Sequence, residues 1–244
     1  MGLTSIPRLR QAVIVAVCIT MFGSVASGQA AEDILQKTRA AYVALSSYSD
    51  TGVVLVEYGT SSKDRHTFST NFRRSPRAFL FDFHKEGGDR YVIWGDPDAF
   101  HTWWKTTGGQ SDYPNPNNVP AINQSGYQTA GSVTKIPALL YGRDILQGIF
   151  TNFADPVLDG TEEIGRRKCY RIVGRSSDFY GTGKEVNIHK LTVWIDAESY
   201  FVRQAREESK TLPGHINRAT TTFELQANPK LDDSKLRFTA PESK

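Results

Sequence analysis

Cysteine is nearly absent, with two in 244 residues. One of them, Cys18, lies in the N-terminal apolar stretch, so once that stretch is removed Cys169 is alone and an internal disulfide is excluded. Its expected role is core filling on a strand. An uninterrupted membrane-spanning run is also missing: the uncharged stretch from Ala12 to Ala26 falls short of the roughly 20 apolar residues that cross a bilayer. A large charge of one sign is lacking too. Of 29 basic and 26 acidic residues, only Arg8 and Arg10 precede residue 31, which leaves a near-neutral mature chain and argues against nucleic acid as a partner. The five histidines, His66, His84, His101, His189 and His215, never fall in the i, i+4 pairing of a helical zinc site. There is no Gly-x-Ser-x-Gly elbow and no phosphate-cradling glycine loop.

What is present begins with a leader. Arg8 and Arg10, then the apolar stretch, then Ala26, Ser27, Gly28 and Ala30 give the charged, apolar, small-residue order of a cleavable export signal. Residues 1–30 are expected to be the signal, with cleavage near 28–30. Residues 31–244 are expected to form one domain that works outside the cytoplasm, a length one β-rich domain commonly fills.

Along the mature chain Ile34, Leu35, Thr38, Ala41, Tyr42 and Leu45 recur at helical spacing, and the helix is expected to end in the cluster Ser46 to Asp50. The period then becomes two. Val54, Val56 and Tyr58, then Phe68, Thr70 and Phe72, then Phe79, Phe81 and Phe83, describe strands with one apolar face. Further strand signals at 90–94, 99–105, 157–164, 168–174, 187–196, 201–208 and 217–226 bring the expected total to about ten. Between them Thr106 to Ala130 is rich in Gly, Asn, Pro, Gln and Ser and reads as an irregular excursion. Two apolar helical patterns follow, Ser132 to Tyr141 and Asp144 to Phe153. With no regular alternation of strand and helix, the expected class is α+β: a strongly curved antiparallel sheet with helices on one face.

For chemistry the best acid/base or metal pair is Asp82 with His84 on one side of a strand, expected to be solvated because Phe81 and Phe83 claim the buried side. Arg203, Arg206, Glu207 and Glu208 read as a wet outer face. No catalytic residue, metal site or cofactor is expected. The aromatic residues say more. Phe72, Phe79, Phe81, Phe83, Tyr91, Trp94, Trp103, Trp104 and Trp194 lie on strands, and together with two apolar helices they suit a pocket for an elongated apolar ligand.

The element order resembles a known family. The residues that carry the resemblance are Leu45-Ser46-Ser47-Tyr48-Ser49 closing the first helix, Phe72-Arg73-Arg74-Ser75-Pro76-Arg77-Ala78-Phe79, Leu191 to Asp196 followed by Tyr200 to Gln204, and the tail from Asn228 to Asp233 leading to Phe238 and Pro241. Together they resemble the LolA-like outer-membrane lipoprotein-sorting superfamily. That resemblance implies an incomplete β-barrel covered by an N-terminal helix and mid-chain helices, enclosing an apolar cavity for the acyl chains of a lipid or lipoprotein in the periplasm. The cavity wall would comprise Phe79, Phe81, Trp94, Trp104, Leu139, Leu140, Ile149 and Phe150. It further implies a monomer that exchanges cargo with a membrane-protein donor or acceptor. The family's carrier latches its lid with an arginine directly before the motif's proline; here Ser75 stands there, so the latch would fall to Arg73 and Arg74. Related domains serve as sensory or protein-interaction modules on the same scaffold.

Overall fold

Alternation sets the sheet. In Ala78–His84 the residues at odd numbers are buried and those at even numbers are not, so the strand presents Phe79, Phe81 and Phe83 to one side as a two-residue period demands. The computed structural model describes residues 27–60, 62–95, 98–114, 129–141, 153–180, 184–212 and 215–241. Eleven strands are present among them: β1 (Ser47–Tyr58), β2 (Ser62–Arg73), β3 (Ala78–His84), β4 (Arg90–Gly95), β5 (Phe100–Trp104), β6 (Gly109–Tyr113), β7 (Ala154–Ile164), β8 (Arg167–Tyr180), β9 (Lys184–Asp196), β10 (Val202–Leu212) and β11 (His215–Ala227). They make one antiparallel sheet in the order β6-β5-β4-β3-β2-β1-β11-β10-β9-β8-β7. The sheet curves but does not close, and β6 and β7 are its two edges.

The eleventh strand, β6, corrects the reading of Thr106 to Ala130 as irregular from its start. Gly109–Tyr113 pairs with β5 through five residues. Its side chains are almost all exposed, so an edge strand wet on both faces left no apolar period to detect. The first strand also starts earlier than expected. Ser47 to Asp50 belongs to β1, not to the end of the helix.

Register places the residues on faces. Directly opposed residues share a side, so the pairs Gly52 with Phe68, Phe68 with Phe83, Phe72 with Phe79, Phe81 with Ile93 and Phe79 with Gly95 put these side chains on one face. Phe223, opposite Gly52, joins them. This is the concave face, where the buried cluster lies.

Among the described residues two helices cover it. The first, α1 (residues 27–43), buries Ala31, Ile34, Leu35, Thr38 and Tyr42, the stripe expected of an amphipathic helix. Its end meets the start of β10, where the Val202 N–H donates to the Tyr42 hydroxyl (3.2 Å); the contact of its first residue with β7, Ser27 hydroxyl to Leu158 carbonyl (3.0 Å), falls within residues 1–30, the expected signal. The second, α2 (Lys135–Leu140), is six residues long and has no side-chain cap at its start. Pro137 stands in its first turn, where a missing N–H costs nothing. The helical pattern expected over Asp144 to Phe153 lies outside the described residues up to 152. No helix among the described residues is long and apolar enough to cross a membrane.

Candidate functional site: the covered concave face

The aromatic half of the concave face spans β1 to β5. Phe72, Phe79, Phe81, Phe83, Phe100 and Phe223 are all at most 1% exposed, and their rings meet edge-on or tilted, as Phe68 does with Phe223 (5.6 Å) and Phe79 with Phe100 (6.0 Å). Tyr141, directly after α2, inserts into this wall. Its ring lies 5.6 Å from Phe72, 5.8 Å from Phe79 and 5.4 Å from Phe100, and the Arg77 guanidinium stands over its outer side at 5.9 Å. The Tyr141 hydroxyl is buried with no hydrogen-bond partner, and burial pushes its pKa up. An unmet buried hydroxyl costs about 1–3 kcal/mol. With Tyr141 seated, its ring and those of Phe72, Phe79 and Phe100 lie against one another.

The other half, β8 to β11, is aliphatic with a polar strip. Ile172, Leu191, Val193, Ile195 and Ala205 are fully buried, while Ser176, His189, Glu207 and Thr221 share their side through the pairs Ser176 with His189, Glu207 with Leu191 and Ala205 with Thr221. Here the chain leading into α2 is fastened. The Ser132 hydroxyl donates to Glu207 Oε1, Lys135 Nζ lies 2.9 Å from the same oxygen, and the Ser132 N–H donates to the Thr221 hydroxyl (3.1 Å). His189 Nε2 stands 4.0 Å from Glu207 Oε2. Burial pushes the Glu207 carboxyl up, but Lys135, His189 and Ser132 more than offset it, and the net displacement is below the ordinary carboxylate range. Gly131 adopts φ +56°, and a Cβ there would meet the Thr221 hydroxyl, Val54 and Ala219 at 2.8–3.3 Å. Glycine is therefore needed for this close approach.

Between the halves, near the start of β1, lies a buried carboxyl. The Tyr48 hydroxyl donates to Asp50 Oδ2 (2.7 Å), while Oδ1 has no partner. Burial pushes Asp50 up to about 6, tempered by Tyr48 and Thr70.

Of the cavity wall expected from the sequence, Phe79, Phe81, Leu139 and Leu140 are buried in the concave cluster, with Trp104 packed against it. Ile149 and Phe150 lie outside the described residues. Trp94 is a correction. It pairs with Leu80 and His101, the opposite parity to Ile93, and so lies on the outer face, where its ring stacks on His101 (5.0 Å) and meets Phe238 of the C-terminal tail (5.1 Å). Trp103 shares that outer cluster. Both expected latch residues hold other parts of the chain than α2. Arg73 reaches Asp233 (2.6 Å) in the tail, and Arg74 donates to the Leu45 carbonyl (2.7 Å), capping the end of α1. The cover α2 is instead held by Glu207, which the sequence reading placed on a wet outer face. Arg203 likewise departs from that reading: it is 9% exposed and paired with Asp196 (3.2 Å). Only Arg206 and Glu208 of that group point outward, Arg206 over the Trp194 ring and Glu208 to Arg218.

The pair Asp82 and His84 does share the outer face, at 3.1 Å, and Asp82 is bound by both arms of Arg90 (2.8 and 2.7 Å). That geometry makes a network in which the Asp82 carboxylate is committed to Arg90. Among the described residues no group of three or more histidine, cysteine or acidic side chains is placed to hold a metal. A separate cleft of about 380 Å³ lies by the β7–β8 turn, lined by Gly165, Arg166, Arg167, Lys168, Asp196 and Glu198; Asp196 there is committed to Arg167 and Arg203.

No family model matches the chain, and no curated protein matches it. Solved structures do. Mycobacterium tuberculosis lipoprotein LppX is similar over 84% of this chain and 98% of its own, at 12% identity and TM-score 0.48. MucB, in the MucA/MucB complex of Pseudomonas aeruginosa, is similar over 86% of this chain and 61% of its own, at 12% identity and TM-score 0.46. A LolA superfamily protein from Nitrosomonas europaea is similar over 85% of this chain and 97% of its own, at 10% identity and TM-score 0.38.

Proposed function

We propose that the chain is a non-enzymatic carrier that binds the acyl chains of a lipid or lipoprotein between the aromatic half of the concave face and the α2 cover. The observation that carries this reading is the cover itself. A helix of six residues is far below the roughly 12–15 that persist alone in water, yet it buries Ile136, Leu139 and Leu140, and the Tyr141 ring after it packs on Phe72, Phe79 and Phe100. Withdrawing it exposes a continuous apolar surface at small cost in helix energy. Each methylene that then leaves water contributes about 0.8 kcal/mol, so an acyl chain of ordinary length has ample driving force to take the place of Tyr141. The export signal expected at residues 1–30 supports a periplasmic setting for this activity, and the resemblance to lipoprotein-sorting proteins supports delivery toward the outer membrane, with a membrane protein as donor or acceptor.

A second reading, a sensory or protein-interaction module on the same scaffold, draws on the closed rings of the aromatic half. Native mass spectrometry of the mature protein purified from the periplasm separates the two. Adducts at the mass of a lipid or acylated peptide, together with saturable uptake of a fluorescent probe with an uncharged acyl chain, are the expected result. Repeated preparations free of adducts, with no uptake even in Tyr141→Ala, would leave the interaction module as the better account.

A further inference from the structure

The polar strip on the concave face is unused by a reading that needs only an oily wall. Glu207 is a mostly buried carboxylate, with 19% of its side chain exposed, on the same face as Leu191 and Ala205. It keeps its charge there because Lys135, Ser132 and His189 surround it. Two of these three come from the cover: Ser132 lies three residues before α2, and Lys135 is its first residue. Whatever lifts α2 from the wall therefore takes away the ammonium and the hydroxyl that compensate Glu207. A buried carboxylate stripped of its cation is strongly unfavourable, and the sheet residue that stays beside it is His189, whose Nε2 lies 4.0 Å from Oε2.

Resting on the acyl-binding reading above, we propose that Glu207 and His189 are the headgroup subsite of that site, and that its ligand is an amphiphile whose polar end is a cation or a hydrogen-bond donor, of the ammonium or hydroxyl class. Lys135 Nζ, at 2.9 Å from Oε1, is the stand-in for that group in the closed form. The chain of the ligand runs from Glu207 on β10 toward the phenylalanines of β2, β3 and β5, along the path that the 132–141 segment now takes across the face. A ligand ending in a free carboxylate would put like charge against Glu207 and is selected against.

Three fluorescent probes with one C12 chain and different ends, ammonium, hydroxyl and carboxylate, test this on the full mature protein at fixed ionic strength. The ammonium probe is expected to bind about tenfold more tightly than the carboxylate probe, with the hydroxyl probe between, as a charge-assisted hydrogen bond requires. Glu207→Gln should collapse the spread to within about twofold. Lys135→Met, which removes the internal competitor while leaving Glu207 in place, should widen it, and it serves where Glu207→Gln fails to fold. Equal affinities for the three probes in the wild type, or an ammonium preference that survives in Glu207→Gln, would overturn the subsite and leave acyl binding standing. Absence of binding by all three probes would sink both the subsite and the carrier reading.

Discussion

The two covers of the concave face differ in how they are held, and that difference tells which one moves. The first, α1, is described over 17 residues, buries a full stripe of side chains, and has its last carbonyls bonded by Arg74. The second, α2, has six residues and no side-chain cap; it buries Ile136, Leu139 and Leu140, and its polar fastenings are at Glu207 and Thr221, with the Tyr141 ring after it. One is part of the permanent core over the aliphatic half. The other is a piece set into the aromatic half at the expense of a buried, unmet hydroxyl. Both covers bury side chains, but α2 is the shorter element and carries the unmet hydroxyl, and local opening takes place where less structure resists it.

The comparison breaks most visibly if truncations on the two covers cost the same. Tyr42→Ala should lower global stability by about 3–5 kcal/mol in urea denaturation, since the ring is fully buried against Phe201. Leu140→Ala on α2 should cost clearly less globally while speeding amide exchange over 132–141. Equal global losses would make α2 as much a part of the core as α1.

Asp50 gives the next largest effect, through pH. Its folded value of about 6 lies above the value near 3.8 of an exposed carboxyl. Between these the folded state holds a proton that the unfolded state has lost, so ionised Asp50 opposes folding above pH 6, and the penalty vanishes as pH falls below about 4. At 1.36 kcal/mol per unit the full penalty is about 3 kcal/mol. Asp50→Asn should therefore be the more stable protein at pH 8, with its advantage fading toward pH 4; an advantage independent of pH would contradict the assignment.

Smaller effects sharpen the contrast at α2 itself. Lys135→Met leaves Glu207 without its cation, and it should destabilise the 132–141 segment by about 1–2 kcal/mol, read by hydrogen exchange with α1 unaffected. Tyr141→Phe removes the unmet hydroxyl and should stabilise the closed form by about 1 kcal/mol, slowing both exchange over 132–141 and uptake of an acyl probe.

The sequence was legible where one face of a strand is apolar and the other is not. Phe79, Phe81 and Phe83 alternate with Leu80, Asp82 and His84, and β3 carries them as that pattern dictates. In β4, however, Tyr91, Val92, Ile93 and Trp94 follow one another with no polar residue between them, because the C-terminal tail covers the outer face with Phe238. Two buried faces leave no parity to read, and Trp94 was assigned to the wrong one. Glu207 was hidden for the opposite reason. It sits in the run Arg206-Glu207-Glu208, which reads as a wet face, yet alternation from buried Ala205 carries it inward and its two neighbours out. Asp50 falls in a polar cluster typical of a helix end, and only pairing with Thr70 and Leu225 brings it onto the concave floor.

The most direct measurement of the central claim is photo-crosslinking with an acyl chain carrying a diazirine near its end, followed by peptide mapping. Adducts on Phe72, Phe79, Phe81, Phe100 or Tyr141 are predicted, lost on competition with unlabelled ligand. Adducts confined to the outer cluster of Trp94, Trp103 and Phe238, or none at saturating probe, would contradict the claim that the guest lies under α2.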